Sequence, residues 1–455
     1  MSVVLKFGGT SVGTFDAVSR TMEIIASRLS EHPVVCVSAL SKVTDLLYEI
    51  ADAAAGGDSA SLESRMYELR SRHLKLVRSL LSADPDGCDR ASARVNGICD
   101  TLAAVVSSVT ALGDVPDRIR AVIISHGELL SSTIICYALN SRGIRTGFVD
   151  ARTMIVTDSE YMCGEPQFDI INERVPAVIG EAFARGTAFG NEGKATDGRP
   201  NDAVITQGFI ASNRQGAGTV LGRGGSDWSA SIIASALYAS RVEIWTDVDG
   251  IRTTDPRVCP DTKRIPRISC EEAAEMARFG AKVLHPKTIA PAMARNIPVF
   301  VLNSLNPSCE GTAVVSEESP MGPCGIAFKR NVYLFRYSPR ADSDFRNCLE
   351  EAKIAPDVVT ASGRQMMATV DFSYNVGNFI RLVAGRTDIL LKTGYSQMTI
   401  IGRGLLPLVP KLEAAVPQLK KNFGKMLNDG NVSYVLAADR LNGIVCEIHR
   451  YLFEK

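Results

Sequence analysis

Two glycine-bearing loops, far apart in the chain, carry residue types that could grip an anion. The first follows a short apolar run: Val3-Val4-Leu5, then Lys6-Phe7-Gly8-Gly9-Thr10-Ser11-Val12-Gly13. Glycines let backbone N–H groups approach a phosphate closely, and a helix opening behind them adds its positive dipole end. Lys6 adds a full charge at the tip of the apolar run. The second loop, Leu221-Gly222-Arg223-Gly224-Gly225-Ser226-Asp227, also opens a helical stretch. Arg223 offers a bidentate contact to a carboxylate or phosphate. This loop is neither the Walker pattern nor the dinucleotide G-x-G-x-x-G pattern. Either loop alone reads equally well as a tight strand-to-helix turn. Two such loops in one chain point instead to a pair of anionic substrates.

Other polar stretches stand near them in kind. Ser38 to Thr44 is a hydroxyl-rich loop, where Thr44 or Ser41 could equally be a helix N-cap. Ser125-His126-Gly127-Glu128 follows Ala121-Val122-Ile123-Ile124, which reads as a strand, so Glu128 is expected at a helix start. There it could bind a cationic amine or simply favour the helix dipole. Thr246-Asp247-Val248-Asp249-Gly250, then Thr253-Thr254-Asp255-Pro256-Arg257 and Phe279 to Pro286, suit a nucleotide base, ribose and phosphate tail, with Arg257 and Lys282 as cations. An Asp-Gly turn with solvated basic residues is the plainer alternative. The five histidines form no metal-spaced group, and the 11 cysteines contain no C-x-x-C set. Neither a zinc site nor a disulfide framework is expected, and free thiols fit a reducing cytoplasm.

These residues need a scaffold. Phe15, Val18, Met22, Ile25 and Leu29 recur at helical spacing, Pro33 ends that helix, and Val34–Val37 reads as the next strand. Strand, helix, strand at this length predicts a βαβ unit and a parallel sheet. Thr146–Val149, Ala203–Ile205, Val242–Trp245 and Pro298–Val301 read as further strands. Ser59 to Ala111 is helical, with a break at Asp84-Pro85-Asp86-Gly87, and Gly186 to Asp202 reads as a surface insertion. The segment from Asn303 to Pro323 is rich in Pro, Ser and Gly and reads as a boundary. Beyond it, strands and short helices alternate in what would be two β-α-β-β sets.

Length and charge set the limits. A chain of 455 residues exceeds one ordinary core, so two or three domains are expected. Lys plus Arg balance Asp plus Glu at 50 each, which argues against a nucleic-acid or polyanion binder. The apolar start stops at Lys6, too short for a signal peptide, and no apolar run reads as long enough to span a membrane.

In this order, KFGGTSVG, SALSKVTDLL, SHGE, GRGGSD, WTDVDG, TTDPR and FGAKVLHP resemble the aspartokinases of the amino-acid kinase superfamily, closest to the monofunctional lysine-sensitive type. The resemblance spans Val3 to about Leu302, and the C-terminal part resembles tandem ACT regulatory domains. It implies an α/β fold, a three-layer αβα sandwich around a mainly parallel sheet, with C-terminal α+β tandem ACT-like domains. The implied boundaries are a catalytic domain at 1–305, a linker at 306–324, and ACT-like domains at 325–395 and 396–455. The implied reaction is ATP-dependent phosphorylation of L-aspartate to 4-phospho-L-aspartate in the cytoplasm, the entry to lysine, threonine and methionine synthesis. Mg²⁺ would ride on the ATP phosphates, with no dedicated protein metal site. Lys6, Arg223 and Asp227 would be catalytic. Thr44, Glu128, Arg223 and Ser226 would hold aspartate. Lys6, Gly8, Gly9, Thr246, Asp247, Arg252, Arg257, Lys282 and Val283 would hold ATP. The resemblance also implies a homodimer or higher homo-oligomer, an amino-acid effector at the ACT-like domains, and no nucleic-acid or membrane partner.

Two departures stand out. Arg252 occupies a place where relatives often have an aromatic residue near the nucleotide. The first ACT-like region keeps Asp357 and Ser362 but begins its helix with Ser343-Asp344-Phe345-Arg346 and has Gly363 where a glutamate is usual. The competing readings are a glutamate-type amino-acid kinase and a non-catalytic amino-acid sensor that keeps the fold.

Overall fold

The computed structural model describes residues 2–184, 199–281, 284–362, 365–371, 376–384, 386 and 388–454. The chain divides into two compact units, Met1–Asp249 with Lys287–Ser316, and Gly250–Pro286 with Glu317–Lys455.

The first unit is built on strands β1 (Val4–Phe7), β2 (Val34–Val37), β3 (Thr146–Val149), β4 (Ala203–Gln207), β5 (Val242–Thr246), β6 (Val299–Asn303) and β7 (Thr312–Val315), which neighbour one another in the order 3-4-2-1-5-6-7. Every pairing from β3 to β6 is parallel, and only β7 runs antiparallel, on β6. β1 is central: Lys6 lies opposite Cys36 on one side and Ile244 on the other. Its apolar residues Val4, Leu5 and Phe7 are fully buried, as expected for a strand covered on both faces. Each such side chain contributes roughly 1.5–3 kcal/mol of burial.

The helices of this unit are α1 (Gly9–Val12), α2 (Phe15–Ala26), α3 (Val43–Ala55), α4 (Ser59–Leu80), α5 (Pro85–Leu112), α6 (Asp117–Ser141), α7 (Phe168–Ala184) and α8 (Gly225–Leu237). α7 and α8 pack together, as do α3, α5 and α6, completing the αβα layers around the sheet. Several expectations need correction. Ala121–Ile124 is no strand but part of α6, and Glu128 therefore sits in mid-helix. α6 is buried nearly all round, so its apolar residues show no one-sided period and its β-branched run imitates a strand. The expected helix break is present, at residues 81–84 between α4 and α5, while Pro85-Asp86-Gly87 already forms the first turn of α5, capped by the Asp84 carboxylate, which accepts from the Gly87 N–H at 2.9 Å. The helix expected from Phe15 is α2, and the separate short α1 at Gly9–Val12 precedes it. By length and composition α5 and α6 do reach membrane-spanning size, and the apolar stretch of α6 is 89% buried in the core. Of the insertion at Gly186 to Asp202, residues 186–198 lie outside the described residues.

The second unit centres on a six-stranded antiparallel sheet in the order Val358–Ser362, Gln365–Val370, Gly322–Tyr337, Ile389–Arg403, Asn431–Ala437, Gly424–Leu427. The two β-α-β-β sets read from the sequence thus share one sheet, joined by the long pair Gly322–Tyr337 and Ile389–Arg403. The helices Asp342–Glu351 and Val376–Val383 close one core around Phe335, Phe345 and Phe379. Leu441–Phe453 closes another around Met398, Ile400, Tyr434 and Ile448.

Candidate active site

Parallel sheets bind ligands beyond the carboxyl ends of their strands, and in the first unit the two glycine loops lie there. β1 ends at Phe7 and runs straight into Gly8 and Gly9. Gly9 is tight against the loop after β2: a Cβ at this position would lie 2.9 Å from the Ala39 carbonyl oxygen and 3.2 Å from Ser41 Cα. The Ser41 N–H donates to the Gly9 carbonyl at 3.1 Å. The Gly8 N–H donates to the Trp245 carbonyl at 3.2 Å, so what Gly8 offers an anion is the missing side chain; a Cβ there would stand 3.5 Å from Lys6 Nζ.

The second loop meets the first through charge. Gly222 and Gly224 both have φ of 74°, a left-handed conformation that glycine adopts without a Cβ penalty, and they turn the chain into α8. That turn sets Asp227 in the first turn of α8, where its Oδ1 lies 2.7 Å from Lys6 Nζ. Both side chains are largely shielded, at 11% and 18% exposure. Ser226 packs on Gly208, just past β4, where a Cβ would lie 2.6 Å from the serine Cβ. Arg223 stands exposed between the two left-handed glycines.

Glu128 reaches the same loop from α6. Its Oε1 accepts from the Ala39 N–H at 3.2 Å, while Oε2 is buried without a hydrogen-bond partner among the described residues. Burial pushes its carboxyl up to about 8, against the pull of the Ala39 N–H. Gly127 makes this approach feasible, since a Cβ there would come within 2.8 Å of Ala39 Cβ. Thr44 is half-buried in the first turn of α3. The residue before that helix, Lys42, holds a φ of 64°, strained for a side chain of its size. Arg72 of α4 pins this bend by donating to the Ser41 carbonyl at 2.7 Å.

At the end of β5, Thr246 donates to Asp247 Oδ1 at 3.2 Å. Its carbonyl accepts from Ser304 N–H at 2.8 Å and from Ser304 Oγ at 3.0 Å. Ser304 Oγ in turn lies 2.8 Å from Ser11 Oγ of the first loop. Ser11, Ser304 and Arg72 thus position the loops, yet sequence reasoning passed over them; only Ser11, inside the glycine motif, carried a visible signal.

The remaining nucleotide candidates fall in the second unit or outside the described residues. Arg252 and Arg257 belong to the second unit. Arg252 donates to Thr262 Oγ1 and to the Thr262 carbonyl at 2.8 and 3.0 Å. Arg257 is paired with Asp255, Nη2 to Oδ2 at 2.7 Å, and holds that carboxyl below its usual range. Lys282 and Val283 lie outside the described residues.

What the first unit assembles is an ammonium, glycine-lined backbone, two hydroxyl-bearing loops and a buried half-satisfied carboxylate. Such a set can hold a polyanion beside a small molecule carrying an amine. Comparison with known proteins bears on this. Residues 1–303 match the amino acid kinase family. Lysine-sensitive aspartokinase 3 of Escherichia coli (strain K12) is 35% identical over 472 aligned positions, covering 99% of this chain and 99% of that protein. The crystal structure of E. coli aspartokinase III in complex with aspartate and ADP (R-state) is similar with a TM-score of 0.81 at 28% identity, covering 100% of both chains. The complex of that enzyme with lysine and aspartate (T-state) gives 0.80 at 29% identity, covering 99% of both.

Proposed function

We infer the chemistry of this chain from its family: it belongs to the amino acid kinase family and is an aspartokinase. It transfers the γ-phosphoryl group of ATP to the side-chain carboxylate of L-aspartate, giving ADP and 4-phospho-L-aspartate. A carboxylate oxygen forms the new bond to phosphorus as the bond to the β-phosphate oxygen breaks. The nucleophile has an ordinary pKa near 4 and is already ionised at neutral pH, so no base is required. The obstacle is bringing an anion against a polyanion, and catalysis is positioning plus positive charge.

In our assignment Lys6 meets the transferred phosphoryl group and its β-phosphate bridge. Asp227 holds Lys6 in place, and Gly8 and Gly9 let the phosphates come close to the backbone. Glu128 receives the α-ammonium of aspartate, Arg223 its α-carboxylate, and Thr44 and Ser226 add hydrogen bonds. Thr246 and Asp247 take the nucleotide; for Arg252, Arg257, Lys282 and Val283 the nucleotide role rests on the family resemblance alone. Mg²⁺ enters bound to the ATP phosphates and shields their charge. The observation that carries this reading is the 2.7 Å Lys6–Asp227 pair, which ties the two glycine loops to one point of charge. The unpartnered Glu128 Oε2 supports the ammonium assignment, because a buried polar atom without a partner costs free energy that a bound amine would recover.

The second unit is proposed as the seat of an amino-acid effector. Asp357, the residue that the resemblance marks there, is buried with its Oδ2 unpartnered among the described residues. A homodimer or larger homo-oligomer and a cytoplasmic location complete the proposal; none of the eleven cysteines is in a disulfide, which is compatible with a reducing compartment.

The test is trapping of the acyl phosphate with hydroxylamine in the presence of ATP and Mg²⁺. The reading expects hydroxamate with aspartate and little with glutamate. Hydroxamate with glutamate but not aspartate would make this a different amino-acid kinase, and none with either would leave a sensor.

A further inference from the structure

We propose that Cys259, Cys446, His449 and Glu454 form a site for a borderline-soft divalent cation of the zinc type within the second unit. The sequence hides it, because Cys259 is remote from the others and no C-x-x-C or paired-histidine spacing is present. Folding brings one donor atom each of Cys259, His449 and Glu454 within 4.8 Å of one another. Cys446 stands three residues before His449 on the helix Leu441–Phe453, hence on the same face. Its Sγ donates to the Val258 carbonyl at 3.1 Å, and it lies within hydrogen-bond reach of the Cys259 thiol. Cys259, His449 and Glu454 are the assembled donors, and a shift of the Cys446 side chain toward its Cys259 neighbour would add a fourth; two sulfurs, an imidazole and a carboxylate suit zinc and not the oxygen-seeking Mg²⁺ or Ca²⁺.

The histidine geometry argues most strongly. His449 is fully buried, with Nε2 2.9 Å from Thr253 Oγ1 and Nδ1 3.3 Å from Glu454 Oε1. If Nε2–H donates to Thr253, the Nδ1 lone pair faces the Glu454 carboxylate, an arrangement that a cation between the two makes favourable. A metal-bound histidine is oriented in this way, by a hydrogen bond from its other nitrogen. The 3.3 Å separation also matches the edge of a tetrahedron whose bonds are about 2.0 Å. The Glu454 side chain is 29% exposed, which leaves a route from solvent. The nearby cations are Arg450, 3.9 Å from the other Glu454 oxygen, and Lys263, which bonds the Phe453 carbonyl. Binding releases the two thiol protons, so two thiolates and one carboxylate face the dication, and affinity rises with pH. An occupied site would fasten the C-terminal helix to the Thr253–Cys259 segment.

Cobalt(II) is the probe. The full-length protein, stripped with a chelator and reduced, is titrated with Co²⁺. One equivalent should produce sulfur-to-cobalt charge-transfer absorption and the intense visible bands of tetrahedral cobalt. Zn²⁺ should bleach them and raise the thermal midpoint. Cys446→Ser should abolish the visible bands, whereas Cys163→Ser, at an exposed thiol elsewhere, should leave them intact. Absence of a charge-transfer band from the unmodified protein would overturn the proposal, leaving the four side chains a closed hydrogen-bond network. Bands that persist in Cys446→Ser and in Cys259→Ser would overturn it equally.

Discussion

Lys6–Asp227 in the first unit and Lys329–Asp357 in the second are ion pairs of nearly equal length, 2.7 and 2.8 Å, and both lysines are mostly shielded from water. They differ in what surrounds them. Among the described residues Lys6 has one carboxylate in ion-pair range, and an ammonium has three donors. Donors therefore remain for an incoming phosphate at the open end of the parallel sheet. Lys329 is bracketed by two acids, Asp357 and, at 3.3 Å, Asp371. Burial still pushes the Asp357 carboxyl up, with Asp371 adding to the rise and Lys329 and Arg278 opposing it. The first arrangement is poised for an anion. The second has spent its lysine on its own carboxylates and is suited to hold structure or to receive a further cation. The pair distance alone does not separate a catalytic lysine from a structural one; the count of neighbouring acids does.

That contrast can be broken at its strongest point first. Lys6→Ala should lower turnover by about 10²–10³-fold, the range for removing one donor aimed at developing charge, with the thermal midpoint shifted little. Steady-state kinetics and a melting curve read both, and near-normal turnover would end the role given to Lys6. Asp227→Asn keeps the shape but loosens the hold on Lys6, and about a tenfold fall in kcat, roughly 1.4 kcal/mol, is expected.

A pH profile sharpens the substrate half of the site. With its carboxyl raised to about 8, Glu128 is protonated at neutral pH in the free enzyme and must ionise to hold an ammonium. The apparent KM for aspartate should therefore fall as pH rises toward about 8. Glu128→Gln should raise that KM and flatten its pH dependence. The linkage has a definite sign. A carboxyl raised in the folded state adds stability that is full below its ordinary value near 4.5 and is lost as pH rises through about 8. The free enzyme should thus melt lower on the alkaline side, and the Gln variant should lack that component.

The smallest catalytic effect belongs to the second pair. Lys329→Met should change kcat on aspartate by less than about twofold in the absence of effectors. It should cost about 1–3 kcal/mol of stability in a denaturant titration, because Asp357 loses its partner inside the fold. A large loss of kcat at unchanged stability would erase the distinction between the two lysines.

Much of this was legible in the residues. β1 and β4 could be read because buried parallel strands are short, largely apolar runs ending in glycine or hydroxyl residues, as at Phe7-Gly8 and Gln207-Gly208. Ala121–Ile124 misled for a related reason: a helix buried on every side loses its period, and Val-Ile-Ile then looks like strand. Glu128 is legible all the same as the carboxylate of Ser-His-Gly-Glu, whereas its place in mid-helix and the role of Gly127 in admitting it depend on packing against Ala39. Arg72, Ser304 and the cluster of Cys259, Cys446, His449 and Glu454 act through partners remote in sequence, and no local pattern marks them. The same holds for Arg252 and Arg257, whose place in the second unit follows from long-range packing.

The central claim is that the two glycine loops act as one device through Lys6 and Asp227. A double-mutant cycle on kcat with Lys6→Met, Asp227→Asn and the combined variant tests it most directly. If Asp227 works only by holding Lys6, the combined variant should be no slower than Lys6→Met alone, within about twofold. If the two losses multiply instead, the residues act independently, and the account of a shared charge between the loops is contradicted.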